Sequence, residues 1–145
     1  MLTRADIEAR LPHAGSMCLL DRVVTWDEAR IRCESSPPTP NHPLAVDGEV
    51  PVIAAVEYAA QATAVDGALL DGRCEPRAGL LASVSEVELG GRAFDADSGA
   101  LVVDAHLLVR GAGGCLYDFS VRDGRATNVR GRLLVAFDRA PTDEP

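Results

Sequence analysis

The sequence predicts an α+β domain in which one antiparallel sheet wraps around a single long helix, and three observations carry that reading. The segment from Pro51 to about Leu70 is rich in alanine, valine and leucine, and Pro51 stands where a helix favours its first residue. After Gly72, the runs 79–89, 100–109, 115–122 and 125–137 have strand composition and are bounded by turn residues. Two further strand-like runs, 19–26 and 29–34, precede the helix, so strands and helices do not alternate as they do in parallel sheets.

Each element has a local cause. Thr3, followed three residues later by Asp6, reads as a helix N-cap, and Pro12 ends the short helix expected to run to about Leu11. Asp27-Glu28 joins the first two strands as a hairpin. Pro37, Pro38, Pro40 and Pro43 prevent regular pairing from Ser35 to about Glu49, and a structured loop of that length is often functional. The long helix would span on the order of 30 Å at about 1.5 Å per residue, enough to cross a small sheet. Asp123-Gly124 reads as a two-residue hairpin turn, while Asp97-Ser98-Gly99 and Gly111-Ala-Gly-Gly114 close the other turns. Residues 1–139 are read as one domain and 140–145 as a frayed acidic tail.

Composition narrows the function. A chain of 145 residues with 47% hydrophobic residues holds one sizeable core. A net charge of −8 with 4% aromatics argues against a nucleic-acid partner, because phosphate binding needs a basic face. Every basic residue is arginine, and Arg122, Arg125, Arg130 and Arg132 cluster late in the chain, either as a patch for an acidic partner or as a solvated strand face. Cys18, Cys33, Cys74 and Cys115 are scattered and fit neither a disulfide framework nor a zinc site. The three histidines lack metal-ligand spacing, so neither metal nor cofactor is expected. The N-terminus lacks a signal-peptide core, and Glu57, Gln61 and Asp66 interrupt the longest apolar stretch. A cytoplasmic location without a membrane span is the expectation.

The pair that suggests chemistry is His42, in the proline loop, and Glu57, fifteen residues later in the alanine-rich helix. A carboxylate in Val52-Ile-Ala-Ala-Val-Glu57-Tyr-Ala-Ala-Gln61 has little polar company, so it needs a hydrogen-bonding neighbour or a chemical role. Imidazole titrates near neutrality and suits a base, and a carboxyl in an apolar setting suits an acid. The helix N-terminus around Pro51 to Ile53 offers backbone N–H groups to a developing oxyanion, with Val52 expected to present its own. A Glu57 that merely pairs with an arginine such as Arg22, and a His42 that is only a solvated loop residue, are the alternatives. His106, alternating with Asp104 in a strand, is expected to face solvent.

These residues resemble the hot-dog-fold 3-hydroxyacyl-carrier-protein dehydratases, especially the short branch associated with aryl-polyene pathways. Leu11-Pro-His-Ala-Gly-Ser-Met17 followed by Leu19-Leu-Asp-Arg22 looks like that family's opening motif, and Val56-Glu57-Tyr58-Ala-Ala-Gln61 looks like its helix motif. Gly79-Leu-Leu-Ala-Ser-Val84 and Arg110-Gly-Ala-Gly-Gly114 resemble its central strand and glycine-rich connection. The place of the fatty-acid dehydratases' Gly-His-Phe-Pro-Gly loop is taken by Pro40-Asn41-His42-Pro43-Leu44, without the flanking glycines, and Val52 stands where a glycine is usual.

The resemblance implies a hot-dog fold and dehydration of a 3-hydroxyacyl thioester on an acyl carrier protein to the trans-2-enoyl thioester, in fatty-acid-like or polyene biosynthesis. It casts His42 as base and Glu57 as acid, Val52, Ile53, Tyr58 and Gln61 as substrate-binding, and His13 as a structural or backup histidine. It further implies that His42 and Glu57 meet across a subunit interface, in a homodimer or larger oligomer or in a pairing with a related hot-dog subunit. A thioesterase on the same fold, with Glu57 activating water, and a non-catalytic accessory subunit that has lost the glycine-rich loop are the competing functions.

Overall fold

The computed structural model describes residues 1–12, 15–72, 74 and 79–137. The expectations for His13 and for the 140–145 tail lie outside the described residues. Helix α1 (Arg4–Glu8) is shorter than expected, because its capping box at Thr3 and Asp6 is followed by an early C-cap at Ala9. Strands β1 (Arg22–Trp26) and β2 (Arg30–Ser35) form the first hairpin. Asp27 Oδ1 closes it by accepting the Ala29 and Arg30 N–H groups, each at 2.8 Å, and those two bonds hold the Asp27 carboxyl below the usual carboxylate range.

A 3₁₀ turn over Val52–Ala54 leads into helix α2 (Ala55–Leu70). Pro51 therefore caps that turn in extended conformation and is not the first helical residue. Strands β3 (Gly79–Leu89), β4 (Leu101–Gly111), β5 (Gly114–Arg122) and β6 (Thr127–Phe137) complete one antiparallel six-stranded sheet in the order β1-β2-β4-β5-β6-β3. The chain leaves β2 near one edge and re-enters as β3 at the opposite edge, so the connection through α2 must traverse the sheet. Helix α2 packs against β2, β4, β5 and β6 on the way.

The expected α+β architecture thus holds, and one turn differs in detail. Ala112 and Gly113 make the two-residue turn, closed by the Gly111–Gly114 pair. A Cβ on Gly114 would lie 2.2 Å from the Val135 carbonyl oxygen, so glycine is needed where β5 starts against β6. Asp123-Gly124 instead begins a four-residue connection between Arg122 and Thr127, because Asp123 Oδ1 accepts the Arg125 and Ala126 N–H groups and folds the chain into a wider loop.

The core lies between α2 and one face of the sheet. Along β5 the side chains alternate, with Cys115, Tyr117, Phe119 and Val121 buried and the residues between them only partly so. Ala55, Ala59 and Ala62 of α2 are fully buried. Their small side chains let the helix backbone approach the sheet. The other sheet face is charged. Arg32 forks onto Asp104, Arg132 meets Asp118 and Glu86, and Arg130 meets Glu88, while Arg125 pairs with Asp95 at the nearby loops. Three of the four late arginines are thus matched by acids, which favours the solvated face over a basic patch. Among the described residues no helix is long and apolar enough to cross a membrane.

One buried carboxylate braces the C-terminal half of α2. Asp66, 1% exposed, accepts the Trp26 indole N–H at 3.0 Å and the Tyr117 hydroxyl at 2.6 Å, tying the helix to β1 and β5. Burial raises its carboxyl above the usual range despite both donors. The folded chain therefore keeps this proton to higher pH than the unfolded chain. The contribution is full below the ordinary Asp value of about 3.9 and declines as pH rises through the elevated one. The stability of the wild type relative to Asp66→Asn is accordingly expected to fall as pH rises above about 3.9 in denaturant unfolding, and a difference independent of pH would contradict this account.

Candidate functional site

The site forms where the proline loop, the opening segment and the first turns of α2 converge. Glu57 is partly buried in the first turn of α2, and its Oε1 accepts from Gln61 Nε2 at 3.0 Å, one helical turn later. The neighbour that a carboxylate in an apolar helix required is thus an amide and not Arg22, which pairs with Glu34 across the first hairpin. Gln61 is 3% exposed. Its Oε1 accepts the Leu19 N–H at 2.8 Å, and its Nε2 also donates to the Met17 carbonyl at 2.8 Å. Leu19 thereby lies outside β1, which starts at Arg22.

His42 is held on the other side of the same helical turn. The loop fixes its backbone, with His42 N–H donating to Thr39 and the Ala45 N–H donating to the His42 carbonyl, each at 2.9 Å. The Leu44 N–H donates to Nδ1 at 3.0 Å, and Nε2 lies 2.9 Å from the Tyr58 hydroxyl. Donor–acceptor matching assigns the tautomer. Nδ1 must be unprotonated to accept an amide N–H, so the neutral ring carries its proton on Nε2 and donates to Tyr58. The Ser35 hydroxyl donates to the Leu19 carbonyl. Burial lowers the pKa of His42, which favours this neutral form, and pushes the Tyr58 phenol up to about 12.

No hydrogen bond joins His42 to Glu57 among the described residues. Glu57 belongs to one hydrogen-bonded set, with Gln61, the Leu19 peptide and Ser35, and His42 to another, with Tyr58. Ser35 is the member that sequence reasoning did not single out, since a serine at a strand end carries no motif, and Leu19 entered only as part of the opening motif.

The expected substrate-binding set needs correction. The Val52 N–H donates to the Arg92 carbonyl at 2.9 Å, and the Val52 side chain is 2% exposed, so this residue is a core anchor and its amide is already used. Of the two amides ahead of the turn's first internal bond, from Ala54 N–H to the Pro51 carbonyl, the one left without a partner among the described residues is that of Ile53. Ile53 is also half exposed, at 50%. Tyr58 is 1% exposed and packs against His42 and, edge to face, against Phe94. It therefore faces the protein. His106 stands opposite Arg30 and Asp118 on the charged sheet face, away from this site.

Other chemistry finds little support. Cys18, Cys33 and Cys115 are buried, and burial pushes the Cys33 thiol up to about 12, far from a reactive thiolate. Among the described residues no group of three or more His, Cys, Asp or Glu side chains could hold a metal ion.

Comparison with known proteins places this geometry in a family. The chain has 22% identity to a chain of the dehydratase heterocomplex ApeI:P from Xenorhabdus doucetiae, with a TM-score of 0.79 over 96% of this chain and 93% of that one. AziG from S. sahachiroi aligns at 17% identity and a TM-score of 0.63, over 86% of this chain and 94% of its own. A point mutant of the thioesterase SAV0944 from Staphylococcus aureus aligns at 16% identity and a TM-score of 0.62, over 81% of this chain and 93% of its own. At these identities the likenesses establish the hot-dog fold. No curated protein sequence matches the chain. The model of the ApeP-like family, described as ApeP dehydratase, matches residues 5–143, and the chain belongs to that family of hot-dog dehydratases.

Proposed function

We propose that this chain is a working subunit of a dehydratase that removes water from a 3-hydroxyacyl thioester carried on an acyl carrier protein, giving the trans-2-enoyl thioester. The observation that carries the proposal is Glu57, a partly buried carboxyl oriented by a buried amide and standing four residues after Ile53, in a chain of a dehydratase family. A base takes the proton from C2 of the substrate, and the electrons of that bond pass into the thioester, where a backbone N–H stabilises the enolate-like oxygen. They return to form the C2–C3 double bond as the C3–O bond breaks, and the acid protonates the departing hydroxyl to give water. Glu57 takes the role of the acid and Ile53 that of the oxyanion donor.

His42 takes the role of the base, reaching the substrate at a subunit interface of a hot-dog oligomer in the cytoplasm. One observation favours a second reading, in which this chain supports a related hot-dog subunit that supplies the base. Both ring nitrogens of His42 are engaged within the chain, and a base needs a free lone pair. The heterocomplex in which a similar chain is found lends this reading a partner of the same fold.

Incubation of the chain, alone and with such a partner, with 3-hydroxyacyl carrier protein is expected to yield the loss of one water by intact mass. Glu57→Gln should slow this by roughly 100-fold or more, the usual weight of general acid catalysis. A folded Glu57→Gln protein working at the wild-type rate would remove the proposal, and a folded His42→Ala protein doing so would select the second reading. Free acid in place of the enoyl product would point to a thioesterase. Nitrogen-15 NMR of the histidine rings supplies a check that needs no turnover. At neutral pH His42 should show a protonated Nε2 and a bare Nδ1, and the opposite tautomer would contradict the assignment.

A further inference from the structure

The resemblance casts Gln61 as a substrate-binding residue, but its hydrogen bonds point elsewhere. Two main-chain groups fix the orientation of its amide without ambiguity. The Leu19 N–H can only donate, so the atom it meets at 2.8 Å is the Gln61 oxygen, and the Met17 carbonyl can only accept, so the atom it meets at 2.8 Å is the nitrogen. The second N–H of that nitrogen is directed at Glu57 Oε1, at 3.0 Å. With both N–H groups used and the side chain 3% exposed, Gln61 has no donor left for a substrate.

We infer that Gln61 is the positioning residue of the acid: it holds Glu57 Oε1 as an acceptor and so makes Oε2 the oxygen that carries the transferable proton. The inference rests on the reading of Glu57 as the acid. A carboxyl oxygen that receives an N–H cannot also present its own proton along that line, so the proton resides on the other oxygen. The bond also restrains the side-chain torsions of Glu57, which a lone carboxyl in a helical first turn would sample freely. Gln61 is itself anchored by Met17 and Leu19, so the segment before β1 and the helix motif act on one carboxyl. Such orientation changes the rate of the chemical step more than it changes substrate affinity.

The test uses the full chain with whichever partner gives turnover, and compares wild type with Gln61→Met, which keeps the length and lacks both donors and the acceptor. We expect kcat to fall roughly 10- to 100-fold, the scale of a small misplacement of a reacting group, with KM within about two-fold. In a Glu57→Gln background the same substitution should cost nothing further, because the group it positions is gone. The carboxyl carbon signal of Glu57, assigned by selective carbon-13 labelling, should move in Gln61→Met even without substrate. If Gln61→Met unfolds, Gln61→Glu, which keeps an acceptor for Leu19 but lacks the N–H groups, takes its place with the same expected outcome. A folded variant with wild-type kcat, or with raised KM at unchanged kcat, would overturn the inference while leaving Glu57 as the acid. Unchanged activity in Glu57→Gln would instead bring down the acid assignment and the positioning role with it.

Discussion

Helix α2 is buried against the sheet while carrying, among its polar side chains, Glu57, Tyr58, Gln61 and Asp66, and the rest of the structure follows from the need to pair these four. Three of the four are 3% exposed or less. An unpaired polar group in such a place would cost roughly 1–3 kcal/mol, a large share of the stability of a small domain. Each has a partner in another element: Asp66 in β1 and β5, Tyr58 in the proline loop, Gln61 in the opening segment. These bonds set the rotation and depth of the helix, which a stripe of alanines, smooth and nearly uniform, would leave weakly specified.

The two ends of the helix use this constraint differently. At Asp66 the hydrogen bonds found run to the indole of Trp26 in β1 and the buried hydroxyl of Tyr117 in β5, and the cluster is structural. At the N-terminal end the pairing leaves a carboxyl partly open, with one oxygen held and one available, four residues after an exposed residue whose backbone N–H has no helical partner. A rigid, internally paired second layer that leaves one acid presented is the arrangement that proton transfer requires. The imidazole is held separately, by Tyr58 and by the Leu44 N–H of the proline loop.

The charged face of the sheet obeys a different rule. Its arginines and acids face each other across neighbouring strands and are substantially exposed, so each pair adds little stability. Their effect is to keep that face hydrated and the net negative charge distributed. A single-sign field of the kind that captures nucleic acid is absent from these pairs.

Much of the fold was legible in the sequence because its signals are local. Thr3 and Asp6 dictated a cap, turn residues marked the strand ends, and the alanine-rich run between strands dictated a helix on a sheet. The errors were local rules overridden by other atoms: Asp123 chose two amides of its own loop over a tight turn, and Leu19, expected in the first strand, donates to Gln61. For the site, the sequence determined which residues have the right chemistry, His42 and Glu57, and that Glu57 needed a polar neighbour. Only the tertiary structure decided that the neighbour is Gln61, that the Val52 amide belongs to Arg92, and that His42 turns to Tyr58. The physical reason is that hydrogen bonds are directional and short, so their partners depend on the packing of segments tens of residues apart, which periodicity and spacing along one chain do not encode.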